Sequence, residues 1–351
     1  MLKYNRKVKL KGLYGMKIGI LGAGTWGTAL AALLTKNGHD ILLWSAIPEE
    51  IEEMRATGMH RNLPGVPLPP WIKYTTDIRE ASGGVEMLIF VTPSEFIRSV
   101  AAKAAPYIDN GTVIINASKG LERGTQRTMT EVISDELSRT SPALSVTVTA
   151  LSGPTHAEEV AVGLPTSIVA AAEDEAVALK IAGVFANTCM RLYTNTDVRG
   201  VELCGALKNI IALAAGMSRG MGFGDNAKAM LITRGASEIT RMGIALGCER
   251  ATFSGLAGIG DLIVTCTSVH SRNNRCGELI GGGMSYAEAS KEIGMVVEGY
   301  HALEAAIELS AKYGVEMPIT RAVYDVIKGG EPIYDVMRNL MSRDIKSELV
   351  L

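Results

Sequence analysis

Ile18-Gly19-Ile20-Leu21-Gly22-Ala23-Gly24-Thr25-Trp26-Gly27 decides the fold. A short apolar run enters a glycine-rich turn, and residues 25–37 continue with helix-forming side chains until Gly38 stops them. GxGxxG is a common pattern, but a strand before it and a helix after it supply the context the motif requires. Each glycine has a task. Gly22 allows the tight turn, Gly24 keeps the backbone clear for a pyrophosphate, and Gly27 lets the helix lie close to the sheet. The helix start offers free N–H groups and a positive dipole end to phosphates. Thr25 and Trp26 stand at that start.

Working outward, short apolar runs predict strands at residues 18–21, 41–44, 87–91, 113–116, 146–151, 167–171 and 191–193. Helical stretches at 94–105, 125–137 and 174–186 separate several of them. This alternation implies an α/β fold with a mainly parallel sheet, whose ligands lie outside the C-terminal strand ends. After about Thr196 the texture becomes helical, at 198–216, 227–246, 286–292, 300–313 and 319–328. The expectation is therefore a Rossmann-type dinucleotide-binding domain over residues 16–196 and an all-helical substrate domain over 197–351. Residues 1–15 are basic, and the apolar run after them is broken by Lys17 and leads into the glycine turn, so they read as a disordered tail rather than a signal peptide, with Met16 as an alternative start. The proline-rich stretch 63–70 reads as a surface loop.

Bulk properties narrow the class. The 351 residues suggest two domains at roughly 150 residues each. A net charge of −2 argues against a nucleic-acid partner. The five cysteines form no CxxC pair, and their odd number points to reduced thiols in a cytoplasmic protein. No apolar run reads as a membrane span, and no metal site is expected.

In folds of this kind an acid for the adenine ribose usually stands about 20 residues after the glycine turn. Here the second strand ends Trp44-Ser45-Ala46-Ile47, with neither an acid nor an arginine. NADH and NADPH both stay open as cofactors, and the missing acid inclines the reading towards NADPH.

The richest segment is Glu202-Leu203-Cys204-Gly205-Ala206-Leu207-Lys208-Asn209-Ile210-Ile211. It predicts a buried helix, and a lysine inside it needs a reason. Burial lowers an ammonium's pKa and suits it to proton transfer near neutrality. Lys208 could serve a forming alkoxide, or simply reach solvent or a structural carboxylate. Asn209 could hold substrate or orient the lysine. Lys119 follows a strand at the ligand edge. Gly153, Thr155 and Ala157 sit in a strand-to-helix turn whose N–H groups suit an anion, while His156 beside them reads as a capping or solvent-facing residue. Asp261 lies in a glycine-rich turn, and Ser271-Arg272-Asn273 combines neutral donors with a guanidinium fork for phosphate. Together they describe a site for a small phosphorylated carbonyl compound. A dehydrogenase for a β-hydroxyacid or sugar acid would want a carboxylate clamp instead. A nonenzymatic redox sensor would want an interaction module.

These segments resemble the bacterial-type NAD(P)-dependent glycerol-3-phosphate dehydrogenases. The resemblance runs from about Lys17 to about Thr320 and rests on GAGTWGTALA, NASKGLE, LSGPTHAEEVA, GVELCGALKNIIALAAG, ITRG, GLAGIGDLIVTCTS, SRNNR and VVEGY. It implies that Lys208 is the proton donor and acceptor. It implies substrate contacts at Lys119, Gly153, Thr155, Lys208, Asp261, Ser271, Arg272 and Asn273. It implies dinucleotide contacts at Thr25, Trp26, Lys119, Ala157, Arg272, Val296 and Glu298, beside Gly22, Gly24 and Gly27 of the turn. The family often has His or Arg after the second strand, where this chain has Ala46 and Ile47. Reduction of dihydroxyacetone phosphate to sn-glycerol 3-phosphate for phospholipid biosynthesis, by a cytoplasmic homodimer, is what the resemblance implies.

Overall fold

A computed structural model describes residues 13–345 and 347. The first part of the chain runs β1 (Lys17–Leu21), α1 (Thr25–Lys36), β2 (Asp40–Trp44), α2 (Pro48–Thr57), β3 (Lys73–Thr75), α3 (Ile78–Ser82), β4 (Met87–Phe90), α4 (Ile97–Ala104) and β5 (Val113–Asn116). It continues through α5 (Met129–Thr140), β6 (Thr147–Ser152), α6 (Ala157–Ala161), β7 (Thr166–Ala171), α7 (Glu175–Val184) and β8 (Met190–Asn195). Everything after β8 is helical: α8 (Val198–Gly220), α9 (Asp225–Ala245), α10 (Arg250–Phe253), α11 (Asp261–Thr267), α12 (Arg272–Gly281), α13 (Tyr286–Ile293), α14 (Glu298–Tyr313), α15 (Pro318–Ile327) and α16 (Ile333–Met341).

The strands form one sheet in the order β3-β2-β1-β4-β5-β6-β7-β8, parallel except between β6 and β7. Residues of β4 and β5 are buried on both faces, which is why these strands are continuous apolar runs and not alternating ones. The register sets Ile18 beside Ile41 on one side and Met87 on the other. Strand order reverses between β1 and β4, so a crevice opens at the C-terminal ends of these two strands. The expected α/β architecture is thus present, with one strand more than the sequence disclosed. Lys73-Tyr74-Thr75 is too short and too polar to stand out.

Two expectations are corrected. Residues 1–12 of the expected tail lie outside the described residues, but Leu13–Gly15 are fixed: Leu13 N donates to Gly183 O at 3.1 Å and Asn187 Nδ2 to Tyr14 Oη at 2.8 Å. The proline-rich stretch is a loop, yet it is no mere surface feature, because Leu63, Val66 and Leu68 are buried. Leu63 and Val66 pack with Ala29 of α1 and Ala157 and Ala161 of α6.

α8 is the axis of the helical part. Among the described residues it is the single helix, taken alone, that is long and apolar enough to cross a membrane, and almost all of it is buried inside the protein. α12 lies against it at backbone distance. A Cβ on Gly216 would fall 2.0 Å from Asn274 O, and one on Gly277 would fall 2.2 Å from Leu213 O. That approach sets the start of α12 beside the middle of α8.

Candidate active site

The glycine turn behaves as its sequence demands. Gly22 has φ +126°, a conformation L side chains rarely adopt, and Gly27 has no room for a Cβ, which would lie 1.9 Å from Gly22 O. A Cβ on Gly24, by contrast, would meet nothing within 4 Å. It faces open space at the start of α1. Thr25 Oγ1 at that start and Thr92 Oγ1 just beyond β4 are buried without a hydrogen-bond partner among the described residues. Open space at Gly24, free helix N–H groups and unpaired hydroxyls fit a pyrophosphate-bearing cofactor. Trp26 packs half-buried on the cluster that holds Ala157, so these two residues share a wall of the turn.

A chain of contacts leads from this turn to the amines. Gly22 abuts Thr92, and Ser118 Oγ donates to Thr92 O at 2.6 Å. Lys119, next along, donates from Nζ to Asp261 Oδ2 at 2.6 Å and to Gly153 O at 3.1 Å. The other oxygen of that carboxylate, Oδ1, is 3.1 Å from Lys208 Nζ. Lys208 also donates to Thr265 Oγ1 at 2.5 Å, and Thr265 in turn donates to Asp261 O at 2.7 Å. Asp261 therefore stands between two lysines that lie 89 positions apart in sequence (208 − 119).

Lys208 is 5 % exposed, so of its alternative readings solvent contact is removed. Its ammonium pKa is lowered to about 8, chiefly by burial. The Asp261 charge opposes this and the Lys119 charge adds to it. His156 is the N-cap residue preceding α6, but its side chain makes no capping bond, so of its two expected roles capping is removed. Its ring is half-buried with Nε2 unpaired, and burial followed by the charges of Lys208 and Lys119 lowers its pKa to about 4. Burial and the two ammonium charges thus favour its neutral form. Thr155 Oγ1 donates to Gly153 O at 3.2 Å.

The start of α12 joins the same crevice. Asn273 Nδ2 donates to Asn209 Oδ1 at 3.0 Å, immediately after Lys208, and Asn273 Oδ1 accepts from Gly299 N at 2.9 Å. Ser271 caps α12, accepting from Asn274 N at 3.2 Å. The exposed Arg272 uses one guanidinium donor on Val296 O at 3.2 Å. Glu298 reaches across to the sheet, where its carboxylate accepts from Ser94 N at 3.1 Å and Ser94 Oγ at 2.5 Å. Burial raises the Glu298 pKa, while those bonds and Arg272 hold it down. Among the described residues, no group of three or more His, Cys, Asp or Glu is placed to hold a metal ion.

Sequence reasoning missed Thr265, which sits one helical turn after Asp261 and was visible only as an i,i+4 neighbour. It also missed Glu202, whose buried carboxylate accepts from Asn116 Nδ2 at 2.8 Å and Thr130 N at 2.9 Å and so ties α8 to the end of β5.

A doubly wound sheet with an open phosphate turn, facing two lysines on one carboxylate, defines an oxidoreductase that works with a nicotinamide dinucleotide. The pattern described as NAD-dependent glycerol-3-phosphate dehydrogenase N-terminus matches residues 17–178, and that described as the C-terminus matches 197–338. The chain belongs to this NAD-dependent glycerol-3-phosphate dehydrogenase family. It is 53% identical to glycerol-3-phosphate dehydrogenase [NAD(P)+] 2 of Lactobacillus delbrueckii subsp. bulgaricus, over 95% of this chain and 99% of that one. It is 48% identical to glycerol-3-phosphate dehydrogenase [NAD(P)+] of Enterococcus faecalis, over 95% and 97% of the two chains. The crystal structure of glycerol-3-phosphate dehydrogenase from Coxiella burnetii superposes with a TM-score of 0.89 at 37% identity, covering 94% of this chain and 100% of that one.

Proposed function

We propose that the protein catalyses reversible hydride transfer between NAD(P)H and dihydroxyacetone phosphate, giving sn-glycerol 3-phosphate for glycerophospholipid synthesis. The observation that carries this is the buried Lys208, paired with Asp261 and with its pKa lowered to about 8. A nicotinamide dinucleotide held on the glycine turn would supply the hydride for the substrate C2. Lys208 gives its proton to the C2 oxygen as negative charge builds there, and takes it back in oxidation. Lys119 adds positive potential at the same oxygen. Asp261 keeps both amines in place. Arg272, Ser271 and Asn273, with Gly153 and Thr155, hold the substrate phosphate. Gly22, Gly24, Thr25, Trp26 and Gly27 take the pyrophosphate, and Lys119, Ala157, Arg272, Val296 and Glu298 complete the dinucleotide contacts.

In this reading residues 16–196 form the dinucleotide-binding domain and 197–351 the substrate domain, and the enzyme is a cytoplasmic homodimer. Family membership and the paired lysines support the chemistry. The test is spectrophotometric: purified protein with dihydroxyacetone phosphate should consume NADH or NADPH, followed separately, and should ignore unphosphorylated dihydroxyacetone at equal concentration. Equal rates with the two ketones would reject the phosphate site.

A further inference from the structure

The second strand lacks the acid that usually reads the adenine ribose, yet a carboxylate stands at its end. α2 begins at Pro48, and Glu50 in its first turn folds back. Ser45 Oγ, buried at the end of β2, donates to Glu50 Oε2 at 2.7 Å and accepts from Ile47 N at 3.1 Å. Glu50 Oε1 accepts no hydrogen bond among the described residues.

His60 closes the same place from the loop after α2. Its Nδ1 accepts from Asn62 N at 3.1 Å, which puts the proton on Nε2. Burial lowers the His60 pKa, against the pull of the Glu50 charge and of the Ala23 carbonyl, which its ring addresses. Ala23 is the middle of the glycine turn, so His60 and Glu50 adjoin the phosphate turn. The neighbouring cations point to other partners. Arg61 is paired with Glu53, and Arg55 donates to Tyr74 O at 2.6 Å. Ala46 and Ile47, exposed beside Ser45, bring no charge.

A dinucleotide whose pyrophosphate lies on the glycine turn carries its adenosine to the end of the second strand. A ribose 2′-hydroxyl arriving there can donate to a carboxylate. A 2′-phosphate meets the like charge of Glu50, and specificity can be built from such a repulsion. We propose that Glu50, held by Ser45, reads the 2′ position and makes the protein prefer NADH to NADPH. The proposal rests on the function proposed above.

The test is calorimetric titration of the full chain with NADH and with NADPH, without substrate. NADH should bind at least ~10-fold tighter, the effect of one unfavourable charge contact. Glu50→Gln should bring the two dissociation constants within about threefold, mainly by strengthening NADPH. The ratio comes from one preparation, so a loss of folded protein cancels from it. NADPH binding as tight as NADH in the native protein would overturn the proposal. So would an unchanged ratio in Glu50→Gln, the outcome if the carboxylate serves only the start of α2. If neither dinucleotide binds, the proposed function falls with it. If both bind equally, the specificity reading alone falls.

Discussion

Lys208 Nζ lies 3.1 Å from Asp261 Oδ1 in a buried site, and the pair does not neutralise the cost of burial: the ammonium still loses its proton at about 8. In the proposed mechanism reduction needs the protonated amine and oxidation the neutral one. The reduction rate should therefore hold to near pH 8 and fall above it, while oxidation should climb towards the same point. Lys208→Ala should cost ~10²-fold or more in kcat and remove that alkaline limb. Should the limb persist in the variant, another group donates the proton.

Asp261→Asn tests the same relationship from the other partner. The Asp261 charge raises the Lys208 pKa, while burial and Lys119 lower it. Without the carboxylate the main raising influence is gone, so the alkaline limb should move to lower pH. The measurement is the pH profile of kcat/KM. An upward move would contradict the charge assignment.

Arg272 is exposed and spends one donor on Val296 O. Its remaining N–H groups suit a phosphate fork. Arg272→Ala should raise KM for dihydroxyacetone phosphate by roughly 10- to 100-fold, as expected when charged hydrogen bonds worth about 1.5–3 kcal/mol are lost. Arg272→Lys should recover part of this at most, because an ammonium cannot reproduce a planar fork. A KM unchanged in both variants would move the phosphate elsewhere.

The glycine turn separates binding from folding. A Cβ at position 27 would lie 1.9 Å from Gly22 O, whereas one at 24 would meet nothing within 4 Å. Gly27→Ala should lower the melting temperature of the free protein. Gly24→Ala should leave it unchanged and weaken dinucleotide binding by ~10-fold or more, the scale of one displaced phosphate contact. Thermal unfolding and titration of the two variants give four numbers, and the pattern fails if Gly24→Ala melts early.

How legible this was in the sequence depended on range. β1, β5 and α8 announce themselves, because a buried parallel strand is an unbroken apolar run and a buried helix has little polar face. α12 hid, since Gly277 and Gly281 look like helix breakers until α8 is seen pressed against them. The Lys119–Asp261 pair spans 142 positions, and no local spacing could report it. Resemblance, not periodicity, brought those two residues together. Leu63 and Val66 were misread because their prolines signal a loop and say nothing of what the loop covers. Glu50 was overlooked because an acid was sought at the strand end itself, while the carboxylate that Ser45 holds comes from the following helix.

Glu238 offers a stability test away from the crevice. Its carboxylate accepts from Ile319 N at 2.6 Å and Thr320 N at 3.2 Å at the start of α15. Burial nevertheless raises its pKa to about 7, outweighing those bonds. A folded-state pKa above the unfolded one means that the folded protein binds the extra proton. The stabilisation is complete below pH 4.5 and is lost as pH rises through about 7. At 1.36 kcal/mol per unit, this shift amounts to roughly 3 kcal/mol. Native protein should therefore gain melting temperature between pH 7.5 and 5.5 relative to Glu238→Gln, whose amide carries no charge and keeps a carbonyl oxygen for Ile319. The two melting curves should converge at the acidic end and separate as pH rises. Parallel curves across that range would show that Glu238 is already ionised when folded, with its bonds to α15 outweighing burial.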